Sequence, residues 1–269
     1  MRIAIASYKE TLPPSDELLR QALGAEAAVW WDAAVDWRAF DAVVVRSCWD
    51  YHLRLPEFLL WIEGLEQAGV RLINAPELIR WNCSKTYLRE FAARGVQIAA
   101  TVWVGDGESV DLERVCDEHG WLEAVVKPLV SASAYGTGRR RTGVVRGPAM
   151  VQEFLSGIET EGEWSLFYFG GVFSHAVRKR PASGDFRVQM EYGGTAETGV
   201  PAGGVLEFAE RALGLLPVPA VLARVDVIAD DGACVLMEME VIEPELFLDL
   251  APGAVERAAK AVLTAIVQR

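Results

Sequence analysis

The first seventy-five residues alternate short apolar runs with helical patterns, and this alternation constrains the fold more than any other feature of the chain. Met1 to Ser7 reads as a short apolar strand, and Asp16 to Leu23 as a helix after the Pro13-Pro14 turn. Ala42-Val43-Val44-Val45 has the unbroken apolarity of a strand buried on both faces. Leu55 to Ala68 places Leu55, Phe58, Leu59, Ile62 and Leu65 at helical spacing, and Gly69 ends it. Arg71-Leu72-Ile73-Asn74 resumes a strand. Strand and helix in strict alternation imply a parallel sheet with helices packed on it.

Beyond that point the pattern changes. Ser84 to Ala93 reads as a helix with Ser84 as its N-cap, Val96 to Val104 as extended, and Leu112 to His119 as a helix. Ala124 to Lys127 is a strand running into Pro128 and a loop of small residues. Strands are then expected at Met150 to Phe154, Trp164 to Phe169, Val172 to Lys179 and Phe186 to Tyr192, with Gly170-Gly171 as a hairpin turn. Val221 to Ile228 and Cys234 to Val241 flank Asp230-Asp231-Gly232, a second hairpin signal. Gly253 to Val267 is an amphipathic helix. The expected division is an α/β domain over 1–78, a central segment over 79–153 and an α+β segment over 154–269.

With 51% hydrophobic and 24% charged residues, 269 residues are ample for a sizeable core. The longest uncharged stretch, Ser165 to Val177, is about 13 residues, against roughly 18 needed to span a bilayer. The first residues form too short an apolar run for a signal peptide, so a cytoplasmic protein is expected. Against 38 acidic residues stand 26 basic ones, a net charge of −12 that argues against a nucleic-acid partner. The one basic run, Arg139-Arg140-Arg141, reads equally as a solvated loop or a polyanion contact. The cysteines and histidines are scattered without a CxxC pair, which argues against a zinc site or a disulfide framework.

Three clusters carry chemistry. Lys127, leaving a buried strand beside Ser131-Ala132-Ser133-Ala134-Tyr135-Gly136-Thr137-Gly138, offers charge and donors to a phosphate. The segment matches neither GxxxxGK[ST] nor GxGxxG, and taken alone it reads as an ordinary exposed loop. Glu238 and Glu240 lie two apart on a strand, hence on one face, with Asp226 on the strand before. Carboxylates that interrupt apolar strands are costly together unless a cation neutralises them, and oxygen ligands without His or Cys suit Mg²⁺. The third cluster is basic: Arg178, Lys179, Arg180 and Arg187. Lys179 shares a strand face with Val177 while Arg178 points away, so Lys179 is placed to stabilise charge developing in acyl or phosphoryl transfer.

Taken in order, these parts resemble the ATP-grasp superfamily across nearly the whole chain: Lys85, Lys127 with its loop, Val151-Gln152-Glu153-Phe154, the basic strand, Asp226 and Glu238-Met239-Glu240. The resemblance is to the branch of glutathione synthetase and RimK-type ligases. Within it, Arg46-Ser47-Cys48-Trp49-Asp50-Tyr51, Asn74-Ala75-Pro76, Arg80-Trp81-Asn82, His175 to Pro181 and Ile242-Glu243-Pro244-Glu245-Leu246-Phe247 are similar to the group containing the cyclo-ligase that forms D-cycloserine from O-ureido-D-serine.

The resemblance implies an ATP-grasp fold: a Rossmann-like N-terminal domain, a small lid subdomain and a C-terminal subdomain with the metal site. It implies ATP and Mg²⁺ as cofactors, and a small amino-acid-like substrate activated by phosphorylation before a nitrogen nucleophile attacks. By the same resemblance Lys85 and Lys127 hold ATP phosphates, and the lid bearing Ser131, Ser133 and Gly136 closes over them. Gln152, Glu153 and Phe154 form the adenine hinge, and Glu163 reaches the ribose or the adjacent site. Lys179 and Arg187 neutralise the transferred phosphate, and Asp226, Glu238 and Glu240 carry Mg²⁺. Two departures stand out: Glu240 replaces the Asn of the glutathione synthetase pattern, and the lid lacks a dense glycine run. Arg46 and Trp49 follow a strand end, where ligands bind in α/β sheets, so Arg46 is a candidate grip for a substrate carboxylate. A salt bridge for Arg46 and a core position for Trp49 are equally consistent. No general base stands out. Relatives are commonly dimeric, and Trp30, Trp31 and Trp37 would serve a homodimer face or the core alike. An intermolecular ligase of RimK or glutathione synthetase type and a non-catalytic ATP-binding module are the alternatives.

Overall fold

The computed structural model describes residues 1–230 and 232–268. The N-terminal sheet forms as the alternation predicts. Strand β1 (Ile3–Ser7) is followed by helix α1 (Pro14–Leu23), β2 (Glu26–Val29), β3 (Ala42–Val45), α2 (Leu55–Gln67) and β4 (Arg71–Ile73). All pairings are parallel, in the order β2-β1-β3-β4. β1 and β3 are buried along their whole length, so their apolarity is unbroken. β2 lacks that signal and escapes the sequence reading.

The junction departs from expectation. Helix α3 (Pro76–Asn82), entered through Pro76, occupies the segment read as a boundary. Helix α4 (Tyr87–Ala93) starts three residues later than expected, and Ser84 is not its N-cap: its hydroxyl faces Thr86, and Lys85 lies in the turn between the two helices. The Lys85 amide donates to the Leu129 carbonyl at 2.7 Å, which holds this turn against the segment after the expected phosphate strand.

The second sheet comes from β5 (Thr101–Val104), β6 (Ser109–Asp111), helix α5 (Leu112–His119), β7 (Ala124–Pro128), β8 (Gly138–Arg140), β9 (Val144–Arg146) and β10 (Ala149–Glu153). Its order is β5-β10-β7-β8, with β6 and β9 forming a separate pair. Asp111 caps α5 through its side chain and Gly120 closes it in the left-handed region. Arg139 pairs with Glu123 and Glu159, and Arg141 with Asp117, so these two charges of the basic run are spent within the chain.

The third sheet follows helix α6 (Gly157–Thr160) and contains β11 (Glu163–Phe169), β12 (Val172–Arg180), β13 (Thr195–Thr198), then, after helix α7 (Gly203–Leu213), β14 (Leu222–Asp230) and β15 (Ala233–Glu240). The order is β13-β12-β11-β14-β15, all antiparallel. Of the Asp230-Asp231-Gly232 turn, Asp231 lies outside the described residues. Phe186 to Tyr192 is not a strand. Asp185 accepts from the Phe186 and Arg187 amides and forks with the Arg187 side chain, which folds the segment into a turn before a short helical stretch at Met190–Tyr192. Helix α8 (Ala254–Val267) packs on α1 and on β11, tying the chain's two ends into one core with Ile5, Phe167 and Val262.

One segment, 241–248, joins the N-terminal sheet to the third. Asn74 is 3% exposed and bonds four backbone groups. Its amide donates to the carbonyls of Leu222 and Val241, both at 2.7 Å, and its oxygen accepts from the amides of Val221 and Leu222. Asn82 accepts from the Val241 amide at 3.0 Å. The Trp49 indole donates to the Glu243 carbonyl at 3.0 Å, Arg46 to the Pro244 carbonyl, and Ser15 accepts from the Leu248 amide at 3.0 Å. His175 Nε2 meets the Leu246 carbonyl at 3.0 Å. A carbonyl only accepts, so Nε2 carries the proton, and Nδ1 is left to accept from the Ser174 hydroxyl, itself held by Arg257.

Two outcomes follow. Asn74→Leu orphans several buried backbone groups at once and is expected to cost about 3 to 5 kcal/mol, read as a lower midpoint in urea unfolding. His175 is stacked on Phe167, and burial pushes its pKa down to about 4. The unfolded chain, titrating near 6.5, therefore binds the proton that the folded chain refuses. Stability from this site is complete above about pH 6.5 and is lost as the pH falls toward 4, by about 3 kcal/mol in full. The difference in unfolding free energy between wild type and His175→Gln, measured from pH 7 to pH 4, is expected to shrink along that slope.

Candidate active site

The β14–β15 hairpin sets the acidic cluster. Asp226 is in register with Glu238 and Arg224 with Glu240, so two cross-strand pairs sit side by side on one face. A bulge at Met237 moves the register, with Val227 opposite Leu236. That extra residue turns Leu236 to the core while Glu238, two residues on, faces the cavity. One oxygen each from Asp226, Glu238 and Glu240 lies within 4.8 Å of the others.

The neighbouring strands complete the face. Glu163 on β11 is in register with Lys179 on β12, and their charged atoms are 2.6 Å apart. Lys179 also lies 3.4 Å from Asp226. Ser165, opposite Asp226, donates to it at 2.5 Å. Arg224 donates to Asp226 at 2.9 Å and to Glu240, and Lys85 pairs with Glu238. Burial alone would push the Asp226 carboxyl up, but the cations Arg224 and Lys179 outweigh it and bring the pKa down to about 2. Burial raises Glu240 to about 7 despite Arg224. Glu238 is lowered, because Lys85 overcomes its desolvation. Glu163 is raised by burial, so it accepts a proton more readily than a free carboxylate.

This face forms one wall of a cavity of about 380 Å³, and the second sheet forms the other. Lys127 projects from β7 into it; burial lowers its pKa, and among the described residues it has no ion-pair partner. The loop from Ser131 to Thr137 covers this region. Ser133 and Ala134 lie in the left-handed region, at φ 48° and 55°. Gly136 is left-handed too, and a Cβ there would come within 2.8 Å of the Pro128 ring. An apolar end is lined by Phe154, Leu155, Ile158, Ile228 and Met237. Of the hinge residues, Gln152 is buried between Thr101 and Val125, and its Oε1 has no partner. The Phe154 amide donates to the Glu123 carbonyl at 3.2 Å, so its N–H is spent, whereas the next amide, Leu155, makes no hydrogen bond among the described residues.

Other expected residues fall less simply. Arg187 lines the cavity, but its guanidinium forks onto Asp185 and lies over Tyr192. Glu163 is engaged with Lys179 rather than presented to a ribose. Arg46 is not a free grip: it is 1% exposed, pairs with Asp16 at 2.8 Å and reaches Pro244. Trp49 does line the cavity, with its indole N–H engaged on Glu243. Trp30 is buried against Phe58 and bonds Asp50, so of the three expected tryptophans only Trp31 is largely exposed. Arg224, Ser165, Tyr51, Glu243 and Glu245 belong to the site and were not singled out in the sequence. Arg224 had a signal: it lies two residues before Asp226 on the same strand, hence on the same face.

Among the described residues no helix is long and apolar enough to cross a membrane. Residues 3–74 match the family model of the D-cycloserine synthetase DcsG N-terminal domain. Over 93% of the chain, the protein is 30% identical to the cycloserine biosynthesis protein DcsG of Streptomyces lavendulae, covering 92% of that protein. The crystal structure of D-cycloserine synthetase DcsG superposes with a TM-score of 0.85 at 27% identity, covering 99% of this chain and 100% of that one. A RimK domain ATP-grasp protein from Sphaerobacter thermophilus shares the fold, with a TM-score of 0.67 at 15% identity over 98% of this chain and 100% of that one. By its likeness to DcsG in sequence along nearly the whole length of both proteins, the chain belongs to the DcsG family, and its fold is the ATP-grasp fold.

Proposed function

We propose that this ATP-dependent ligase closes an amide-like bond within a small amino-acid-like substrate, as a cyclo-ligase of the cycloserine type serving antibiotic biosynthesis. The observation that carries the reading is one cavity in which an unpaired Lys127 faces three carboxylates converging within 4.8 Å. Lys127 and Lys85 bind the ATP phosphates, the loop through Ser131, Ser133 and Gly136 shields them, and the apolar end takes the adenine. The hinge of Gln152, Glu153 and Phe154 contributes its backbone at Glu153 and Leu155.

Asp226, Glu238 and Glu240 present only hard oxygens, a donor set that fits Mg²⁺. When bound there, the ion supplies charge neutralisation on the transferring phosphate. The substrate carboxylate attacks the γ-phosphate to give an acyl phosphate. Lys179, held between Glu163 and Asp226, stabilises the charge that develops, and Arg187 assists from the rim. A nitrogen of the same substrate then displaces phosphate and closes the ring; with a ureido substrate, water then removes the carbamoyl group from that nitrogen as carbon dioxide and ammonia. The covering loop excludes the water that would hydrolyse the intermediate. Catalysis here is chiefly positioning and electrostatics. Glu240 adds a negative charge where the glutathione synthetase pattern has Asn, and Arg224 offsets it.

Purified protein with Mg-ATP and O-ureido-D-serine is expected to give ADP and a product that co-elutes with authentic D-cycloserine. ADP with a condensed product from two amino acids would replace this reading by an intermolecular ligase, and no nucleotide binding would end it. Lys127→Met is expected to raise the KM for ATP by about 10- to 100-fold, the worth of a lost charge-assisted contact, without lowering the unfolding temperature. Titration of initial rate against ATP, beside a thermal melt, checks both.

A further inference from the structure

The segment 241–248 is held with unusual completeness for a loop, and what it presents has no partner. Its carbonyls at Val241, Glu243, Pro244 and Leu246 each accept from a side chain brought by another part of the fold: Asn74, Trp49, Arg46 and His175. Phe247 lies in the left-handed region at φ 46°, a conformation a bulky residue keeps only when its surroundings impose it. Such a scaffold fixes the side chain it carries, and that side chain is Glu243.

Glu243 is 8% exposed and lines the cavity. Among the described residues its carboxylate makes neither a hydrogen bond nor an ion pair, whereas Asp226, Glu238 and Glu240 are each engaged by a cation. A buried carboxylate left without a partner is destabilising in the free protein, and a rigid loop that keeps it so is organised for a ligand that completes it. Trp49, Tyr51 and Phe247 line the same cavity. An unpartnered carboxylate in a cavity with aromatic lining favours a cation over an anion or a neutral group.

From this geometry we infer that Glu243 is the anchor for the ammonium group of the substrate, and that the site selects molecules carrying a free primary amine beside the carboxylate to be activated. The inference rests on the ligase reading above. It gives Arg46 and Trp49 a role different from gripping substrate: they are positioning residues that hold the Glu243 and Pro244 carbonyls, and through them the anchor.

The test is equilibrium binding, so that it does not depend on turnover. Wild type and Glu243→Gln, each with Mg²⁺ and a non-hydrolysable ATP analogue, are titrated with matched pairs: O-ureido-D-serine and its des-amino counterpart, D-serine and D-glycerate, D-alanine and D-lactate. Wild type is expected to bind the amine-bearing member of at least one pair about 10- to 100-fold more tightly, the worth of one charge-assisted contact, and Glu243→Gln to lose that preference while keeping its affinity for the nucleotide. Because the carboxylate has no partner in the free protein, Glu243→Gln and Glu243→Met are expected to melt no lower than wild type; a markedly lower melt of both would assign Glu243 a structural role and overturn the inference. A change in the Mg²⁺ dependence of nucleotide binding, with the amine preference intact, would make Glu243 part of the metal site and overturn it as well. Wild type that prefers the amine in none of the pairs overturns it whether or not ring closure is seen. Amine preference without any ring-closed product would instead leave the anchor standing and remove the cyclo-ligase reading.

Discussion

The structure depends on neutralising charge that has been taken out of water. One face of the β12-β11-β14-β15 sheet carries Lys179, Glu163, Asp226, Arg224, Glu238 and Glu240, and each would be prohibitively costly there alone. The sheet solves this by register. Glu163 lies opposite Lys179, and Arg224 lies opposite Glu240 and two residues from Asp226, so every strand supplies the counter-charge for its neighbour. Lys85 comes from outside the sheet to Glu238. The same arrangement prepares the site electrostatically. Cations already fixed by carboxylates need no reorganisation when a phosphate arrives, which is the condition for their field to act on a developing charge. Glu240 shows the balance at its margin: burial raises its pKa to about 7 although Arg224 pairs with it and Lys85 also favours its charge.

The N-terminal sheet contributes to the site mostly at one remove. Its Asn74, at the end of β4, and Asn82, at the end of α3, bond the backbone on both sides of the β14–β15 hairpin. Arg46 and Trp49, just past β3, bond the loop beyond it. Strand ends of an α/β sheet are where ligands commonly bind, and here those ends are used to hold a segment that lines the cavity. The geometry of that end of the cavity is thereby tied to the integrity of the N-terminal sheet.

What was legible in the sequence is what local physics decides. β1 and β3 follow from unbroken apolarity, α2 from helical spacing, α5 agrees with the helix read over Leu112 to His119, and the β11–β12 hairpin follows from Gly170-Gly171. The acidic trio was visible because carboxylates at a two-residue spacing break an apolar strand, a pattern that needs a reason. The bulge at Met237 was not visible, since nothing in Val235-Leu236-Met237 marks the residue that goes unpaired. Phe186 to Tyr192 alternates like a strand, yet Asp185 captures the next two amides and folds the segment into a turn. Arg46 failed for a different reason. Its partners, Asp16 and Pro244, lie 30 and 198 residues away, and only the assembled fold shows that its charge is spent. Helix α7, which opens on Gly203-Gly204, escapes the sequence reading; Val205, Phe208 and Ala212 bury it against the third sheet.

The cavity charges divide into those already paired within the fold and those that are not. Lys85, Lys179, Arg224, Asp226, Glu163, Glu238 and Glu240 are each engaged by another of the group, and they hold the strands of the third sheet in register and tie the turn at Lys85 to the hairpin. Several cavity charges make no ion pair among the described residues, Glu153, Glu191 and Glu245 included; Lys127 and Glu243, one of each sign, are the two of these on which burial acts most strongly. Burial acts on them in opposite directions: it lowers the lysine's pKa and raises the carboxyl's, so each is held in the environment that most penalises its charged form. A ligand set that brings negative phosphates to one and a positive group to the other removes both penalties, and one lacking either group leaves a buried charge exposed to its full desolvation cost. Discrimination built this way is steep, because it is paid in unsatisfied polar groups rather than in lost apolar contact. On the reading proposed above, it asks for a molecule that carries an amine, presented together with a nucleotide, because those two side chains have no partner among the described residues.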